Sequence, residues 1–189
     1  MTKIFLVFLW LDYVLTEKCV VYKAMFLDKI NDCDGFENKI LNAEGLNFAT
    51  EEGDEDGEGS MTMQGQIKLS SAIEKGDAIQ IEVWKETEIG QKEFVSSARW
   101  DICKNLQNAE APWYPLLECL RISKCPVPAD DYNIQDLSIS LAGVKDVLRH
   151  EFCGSYTTEL KIVNSMNSII SDKSCHVIGL AIVEKEEEC

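Results

Sequence analysis

The chain has 189 residues, a net charge of −15 at pH 7 and 46% hydrophobic residues. So large an acidic excess excludes a partner defined by its phosphates, nucleic acid above all, and opposes contact with anionic membrane surfaces at neutral pH. Its eight cysteines are dispersed rather than set at metal-finger spacing, so their chemistry turns on the compartment in which the chain matures.

The N-terminal residues bear on that compartment. Lys3 precedes Ile4-Phe5-Leu6-Val7-Phe8-Leu9-Trp10-Leu11, an apolar run that is too short to span a bilayer and reads as a secretory signal. Asp12 interrupts the run, and Thr16, with Val14 before it, is the best cleavage position. The expected organisation is therefore a signal peptide over 1–17 and one domain over 18–189; the alternative is the apolar first strand of a cytosolic protein. About 170 residues suit a single domain. Export makes disulfides the expected fate of the cysteines, in a secreted or lysosomal setting. At lysosomal pH many carboxylates approach neutrality, which leaves membrane contact open there. No Asn-x-Ser/Thr sequon occurs, and Asn31-Asp32-Cys33 is the one variant of it.

In chain order, Cys19-Val20-Val21-Tyr22-Lys23-Ala24-Met25-Phe26-Leu27 is rich in strand formers and predicts the first strand. Asn31-Asp32-Cys33-Asp34-Gly35 predicts a turn, and residues 40–48 a second strand. Residues 51–59 contain only acidic residues and glycine, a solvated loop. Period-two alternation follows. Met61, Met63, Gly65, Ile67 and Leu69 share one face, and Ile79, Ile81 and Val83 alternate with Gln80, Glu82 and Trp84. Turn signals stand at Gly76-Asp77 and Ile89-Gly90, and the pattern continues over 93–95.

Residues 99–107 predict a helix, with Ile102, Cys103 and Leu106 on one side. Ala111-Pro112-Trp113-Tyr114-Pro115-Leu116-Leu117 is apolar and broken by proline, so it suits neither a regular helix nor a strand. Strands return over 132–141, over 150–163 with Phe152, Tyr156, Leu160 and Ile162 on one parity, and over 175–183. About eight strands and one short helix, without a βαβ rhythm, predict an all-β fold: an immunoglobulin-like antiparallel β-sandwich.

Cys125-Pro126-Val127-Pro128-Ala129-Asp130-Asp131-Tyr132 resembles the CP-to-Tyr motif of the ML lipid-recognition superfamily, which includes the lysosomal ganglioside activator and insect relatives of chemosensory type. Asp32-Cys33-Asp34-Gly35 is similar to that family's first cysteine segment, and Trp100-Asp101-Ile102-Cys103 to its helical cysteine. Residues 156–163 and Ser174-Cys175-His176-Val177-Ile178-Gly179-Leu180 resemble its last two strands, and Pro112-Trp113-Tyr114-Pro115 resembles the insect branch. The resemblance covers residues 20–183.

It implies a β-cup, with bridges Cys33–Cys175 and Cys103–Cys125 and an apolar cavity between splayed sheets. Cys119 departs from the ganglioside activator in lacking its loop partner, and Cys19, Cys153 and Cys189 are additional. Pairing Cys119 with Cys153 and Cys19 with Cys189 would use all eight, although sequence does not fix connectivity, and cleavage after Cys19 would leave seven. Ile67, Leu69, Ile81, Val83 and Phe94, with Leu137, Ile139, Tyr156, Leu160 and Ile162, fit the wall of such a cavity. Trp113, Tyr114, Leu116 and Leu117 fit a mobile apolar lip. The alternative is a closed sandwich in which the same side chains fill the core.

Other chemistry is poorly supported. Asp54-Glu55-Asp56-Gly57-Glu58 offers oxygen ligands without the twelve-residue spacing of an EF-hand. His150 and His176 are the only histidines, in different strand regions, and no HExxH motif, paired CxxC or nucleophile elbow occurs. His150 beside Glu151 reads as a surface pair, and His176 as a strand-edge residue. An even set of cysteines in an exported chain argues against a free catalytic thiol.

The expected function is a secreted, monomeric, non-catalytic carrier of a lipid or other small apolar ligand, acting in transport, presentation or chemosensation. No metal or other cofactor is expected. Alternatives are an extracellular interaction module that meets a receptor through the Trp113-Tyr114 loop, and a lysosomal activator that presents glycolipid to a hydrolase at a membrane surface.

Overall fold

The computed structural model describes residues 18–188 apart from 28, 44, 52–59, 112, 141–147 and 167–168, with backbone alone at 18–19, 50–51, 136, 139–140, 165–166, 169 and 187–188. The expected leader and nearly all of the acidic run lie outside the described residues. The strands are β1 (Lys18–Phe26), β2 (Asn31–Asp32), β3 (Leu41–Asn42), β4 (Asn47–Glu51), β5 (Ser60–Leu69), β6 (Asp77–Glu86) and β7 (Lys92–Asp101). After helices α1 (Ile102–Asn105) and α2 (Tyr114–Cys119) come β8 (Asp131–Ser140), a 3-10 turn at His150–Phe152, β9 (Gly154–Met166) and β10 (Ile169–Glu188).

The strands form two antiparallel sheets, the sandwich that the alternation predicts. One sheet runs β1-β10-β9-β6-β7, with β2 beside β10; in the other, β5 pairs with β8 on one side and with β3 and β4 on the other. The predicted second strand is split into β3 and β4, because the chain turns over Ala43–Leu46, where Leu46 N donates to Ala43 O at 3.0 Å. The predicted helix is shorter than expected. Arg99, Trp100 and Asp101 stay in β7, and Asp101 then caps α1 by accepting from Lys104 N at 3.0 Å.

Two bulges decide which side chains face inward. Between β5 and β8 the register passes from Met63↔Leu137 to Gly65↔Ile134, so β8 carries one extra residue. Ile134 and Leu137, three apart, are both buried as a result. Gly65, at φ +131°, is pressed so close to the Gly45 carbonyl that a Cβ would run into its oxygen. Between β6 and β7 the register passes from Val83↔Ser96 to Trp84↔Phe94, which turns Phe94 to the opposite face from Val83.

The apolar side chains gather in two clusters. One joins Ile30, Ala43, Leu46, Met63, Ile134 and Leu137; the other joins Leu69, Ile73, Ile102, Leu106, Val127 and Ile162. The bridges Cys33–Cys175 and Cys103–Cys125 form as the resemblance implies. The first ties the β2 end to the middle of β10, and the second fastens α1 to the loop before β8. Cys119 and Cys153 are free thiols, which corrects the proposed bridge between them: Cys119 packs against the first cluster, while Cys153 lies beside His150 and Glu184. The proposed Cys19–Cys189 pair lies outside the described side chains.

A buried carboxylate holds one end of the larger sheet. Asp77, 1% exposed, accepts from Asn164 Nδ2 at 2.6 Å, from Lys173 Nζ at 2.9 Å and from Glu74 N at 2.9 Å. Burial alone would raise its pKa, but these donors outweigh that and hold it below the ordinary carboxylate value.

Candidate functional site

Register assigns each face of the larger sheet. Residues paired directly across antiparallel strands share a face, so Ile79, Ile81 and Val83 of β6 lie with Ile162, Leu160 and Thr158 of β9. Ile178 and Leu180 of β10 continue that face, and Phe26 of β1 lies opposite Leu180. The other face carries charged side chains midway along β6 and β9. Lys161 bridges Glu82 at 2.9 Å and Glu159 at 2.8 Å, and its hydrogen bond holds the Glu82 carboxyl below its usual range. The apolar face is the inward one, since Ile162 and Ile79 join the second cluster and Ile178 the first.

One aromatic contact joins the two sheets at the periphery, and another sets a helix against the larger one. Phe26 stacks on Phe48 with centroids 5.1 Å apart, bringing β1 to β4. Trp113 meets Trp100 edge-on at 4.5 Å, setting α2 against the end of β7. Between these supports, Ile81, Val83, Leu160 and Leu180 are partly exposed although they occupy inward positions, all of them on the internal strands β6, β9 and β10. None of the four belongs to either cluster. In a filled sandwich such positions are the most completely buried.

The predicted wall residues therefore divide. Ile81, Val83 and Leu160 line the partly open inward face, and Tyr156, buried, stands at its end with its hydroxyl donating to Phe152 O at 2.6 Å. Leu69, Leu137 and Ile162 are buried core, and Ile67 is packed against the first cluster. Ile139 is described by its backbone only, paired with Met61. Phe94 does not line the interior: the β7 bulge carries it outward, where it is 56% exposed and meets Trp84 edge-on at 5.2 Å.

The segment expected to form a lip is largely helical. Tyr114–Cys119 forms α2, which Pro115 permits because it falls in the first turn, where its missing N–H is not needed. Leu116 packs against the first cluster and Leu117 against the second, so α2 is a wedge between the clusters rather than a loose apolar loop. Tyr114 and Leu117 also border a cleft of about 330 Å³ with Leu106, Glu118, Arg121 and Ile122. A second, of about 510 Å³, lies over the Cys103–Cys125 bridge beside Glu74, Lys75 and Lys104.

Both histidines differ from expectation. His150 pairs with Glu184 at 2.8 Å rather than with Glu151. His176 is not at a strand edge: β9 and β2 flank it, and it is 1% exposed on the inward face, opposite Leu160, with Nδ1 3.2 Å from Asp32. Burial pushes its pKa down, and the Asp32 carboxylate opposes the shift without cancelling it. As pH falls below the ordinary value of 6.5, the unfolded chain takes up a proton that the folded chain refuses. This contribution to stability is complete above that pH and is lost as pH falls toward the lowered folded value. Urea unfolding over this range should show a decline that His176→Gln flattens; an unchanged slope in the variant would assign the decline to other groups.

Ile134 and Leu180 were missed among the inward residues. The Gly65 in β5 signals the irregularity that places Ile134, whereas Leu180 lies in an apolar run whose parity is visible only from its partner strand. Compared with protein families and with curated proteins, the chain matches none.

Proposed function

We propose that this chain is a secreted, non-catalytic binding protein of the ML lipid-recognition type, holding a lipid or other small apolar ligand between its sheets. The observation that carries this reading is the incomplete burial of Ile81, Val83, Leu160 and Leu180 on an inward, apolar face. Filling that space with hydrocarbon removes apolar surface from water, at about 25 cal/mol per Å². The two bridges are consistent with maturation in an oxidising compartment, and among the described residues no helix is long and apolar enough to cross a membrane. Native mass spectrometry after exposure to a lipid extract tests the reading: a bound apolar species is expected, and its persistent absence would remove the carrier role.

A second reading has its own observation. Lys92 to Arg99 of β7 is exposed on both faces at the sheet margin, with Phe94 56% and Val95 51% exposed. An edge of this kind suits an interaction module that adds a partner's strand. That reading calls for no apolar ligand, so the same mass spectrum separates the two.

A further inference from the structure

The inward face of the larger sheet ends in a cluster of polar side chains. β9 begins at Gly154, opposite Ile182, whereas β1 and β10 continue as a two-stranded ribbon to Lys18↔Glu188. Tyr22 and Glu184 are paired on that ribbon, on the parity of Leu180 and Phe26. The 3-10 turn at His150–Phe152 faces the ribbon and brings His150 and Cys153 to Glu184. Residues three apart eclipse one another in a 3-10 turn, which sets these two side chains on one side.

We propose that His150, Cys153 and Glu184 bind a divalent transition-metal ion, with zinc the ion that this donor set suits best. One ligand atom from each residue lies within 4.8 Å of the other two. Around tetrahedral zinc the donors sit roughly 3.3–3.6 Å apart, so closing on an ion takes side-chain adjustments of about an ångström. His150 Nδ1 and Glu184 Oε2, now 2.8 Å apart, would separate slightly to admit it. Imidazole, thiolate and carboxylate together are of intermediate softness, which favours zinc over calcium or magnesium.

Three further features agree with this assignment. Cys153 is a free thiol, so its sulfur is not committed to a bridge. The group formed by Cys33, Glu159 and Cys175 differs on that point, since both of its sulfurs are spent in the disulfide. Tyr22 is the register partner of Glu184 across the ribbon, the position from which an outer contact can orient a ligating carboxylate. The ammonium of Lys85 is occupied by the Glu151 carbonyl at 3.1 Å and the Tyr156 ring. Three protein donors leave a fourth position for water or an exogenous ligand, and an ion there would pin the segment before β9 to the ribbon.

The test is a cobalt(II) titration of the full chain with its disulfides intact, followed by displacement with zinc. A sulfur-to-cobalt charge-transfer band should saturate at one equivalent in the wild type and in Cys119→Ser, and vanish in Cys153→Ser. His150→Ala and Glu184→Gln should each weaken zinc binding at least about tenfold while keeping the wild-type circular dichroism. No such band in the wild type, or one that survives Cys153→Ser, would overturn the assignment.

Discussion

Replacing Cys33 and Cys175 together with serine is expected to lower the unfolding free energy by about 5 kcal/mol, the largest effect of any single bridge described. The two residues are separated by 142 positions, so in the unfolded chain their link closes a loop spanning most of the domain. The Cys103–Cys125 bridge spans only 22 positions and should contribute about 3 kcal/mol on the same chain-entropy argument. In a domain of this size the difference corresponds to several degrees in melting temperature. Calorimetry of the two paired-serine variants checks the order. Equal losses, or a larger one from the shorter loop, would show that native contacts around the bridges outweigh the restriction of the unfolded chain.

Gly65→Ala is the second large effect expected, a loss of at least about 3 kcal/mol from a single methyl group. Two costs add. The backbone at φ +131° is one that residues with a side chain rarely adopt, and the new Cβ would collide with the Gly45 carbonyl. The obstacle is backbone rather than a flexible side chain, so relief means separating the Gly45 turn from β5. Gly35 and Gly90 make the comparison, because each also has positive φ but open space where a Cβ would stand. Alanine at either should cost about 1–2 kcal/mol. Denaturant melts of the three variants should rank Gly65 well apart; similar losses at all three would assign the effect to backbone conformation alone.

The legibility of this fold in its sequence follows from what periodicity encodes. Alternation marks a strand with two unlike faces, and β5 and β6 stand where it places them, whereas the strand expected over 150–163 starts only at Gly154, after a 3-10 turn that holds Phe152. It carries no information about bulges. One inserted residue in β7 therefore sent Phe94 outward against a correct local pattern, and the extra residue in β8 buried Ile134 beside Leu137. The segment around Pro115 misled for another reason: proline forbids a helix interior but fits a first turn, so a six-residue helix could form there.

The polar site was less legible still. Tyr22, the turn that carries His150 and Cys153, and Glu184 lie far apart in the chain, and only the pairing of β1 with β10 together with that 3-10 turn brings them to one place. The assumption that eight cysteines pair completely hid Cys153 as a free thiol. His176 misled because its position on a central strand depends on β2, a two-residue element too short to leave a pattern.

Whether the space between the sheets takes up an apolar guest is tested most directly by titrating the protein with a fatty acid whose fluorescence rises on leaving water, in the wild type and in Val83→Trp. A saturable, one-to-one rise is predicted for the wild type. An indole placed on the inward face should weaken it at least about tenfold by occupying the ligand's volume, while Phe94→Ala on the outer face leaves it unchanged. A wild-type signal that never saturates, or one that Val83→Trp leaves intact, would contradict binding between the sheets.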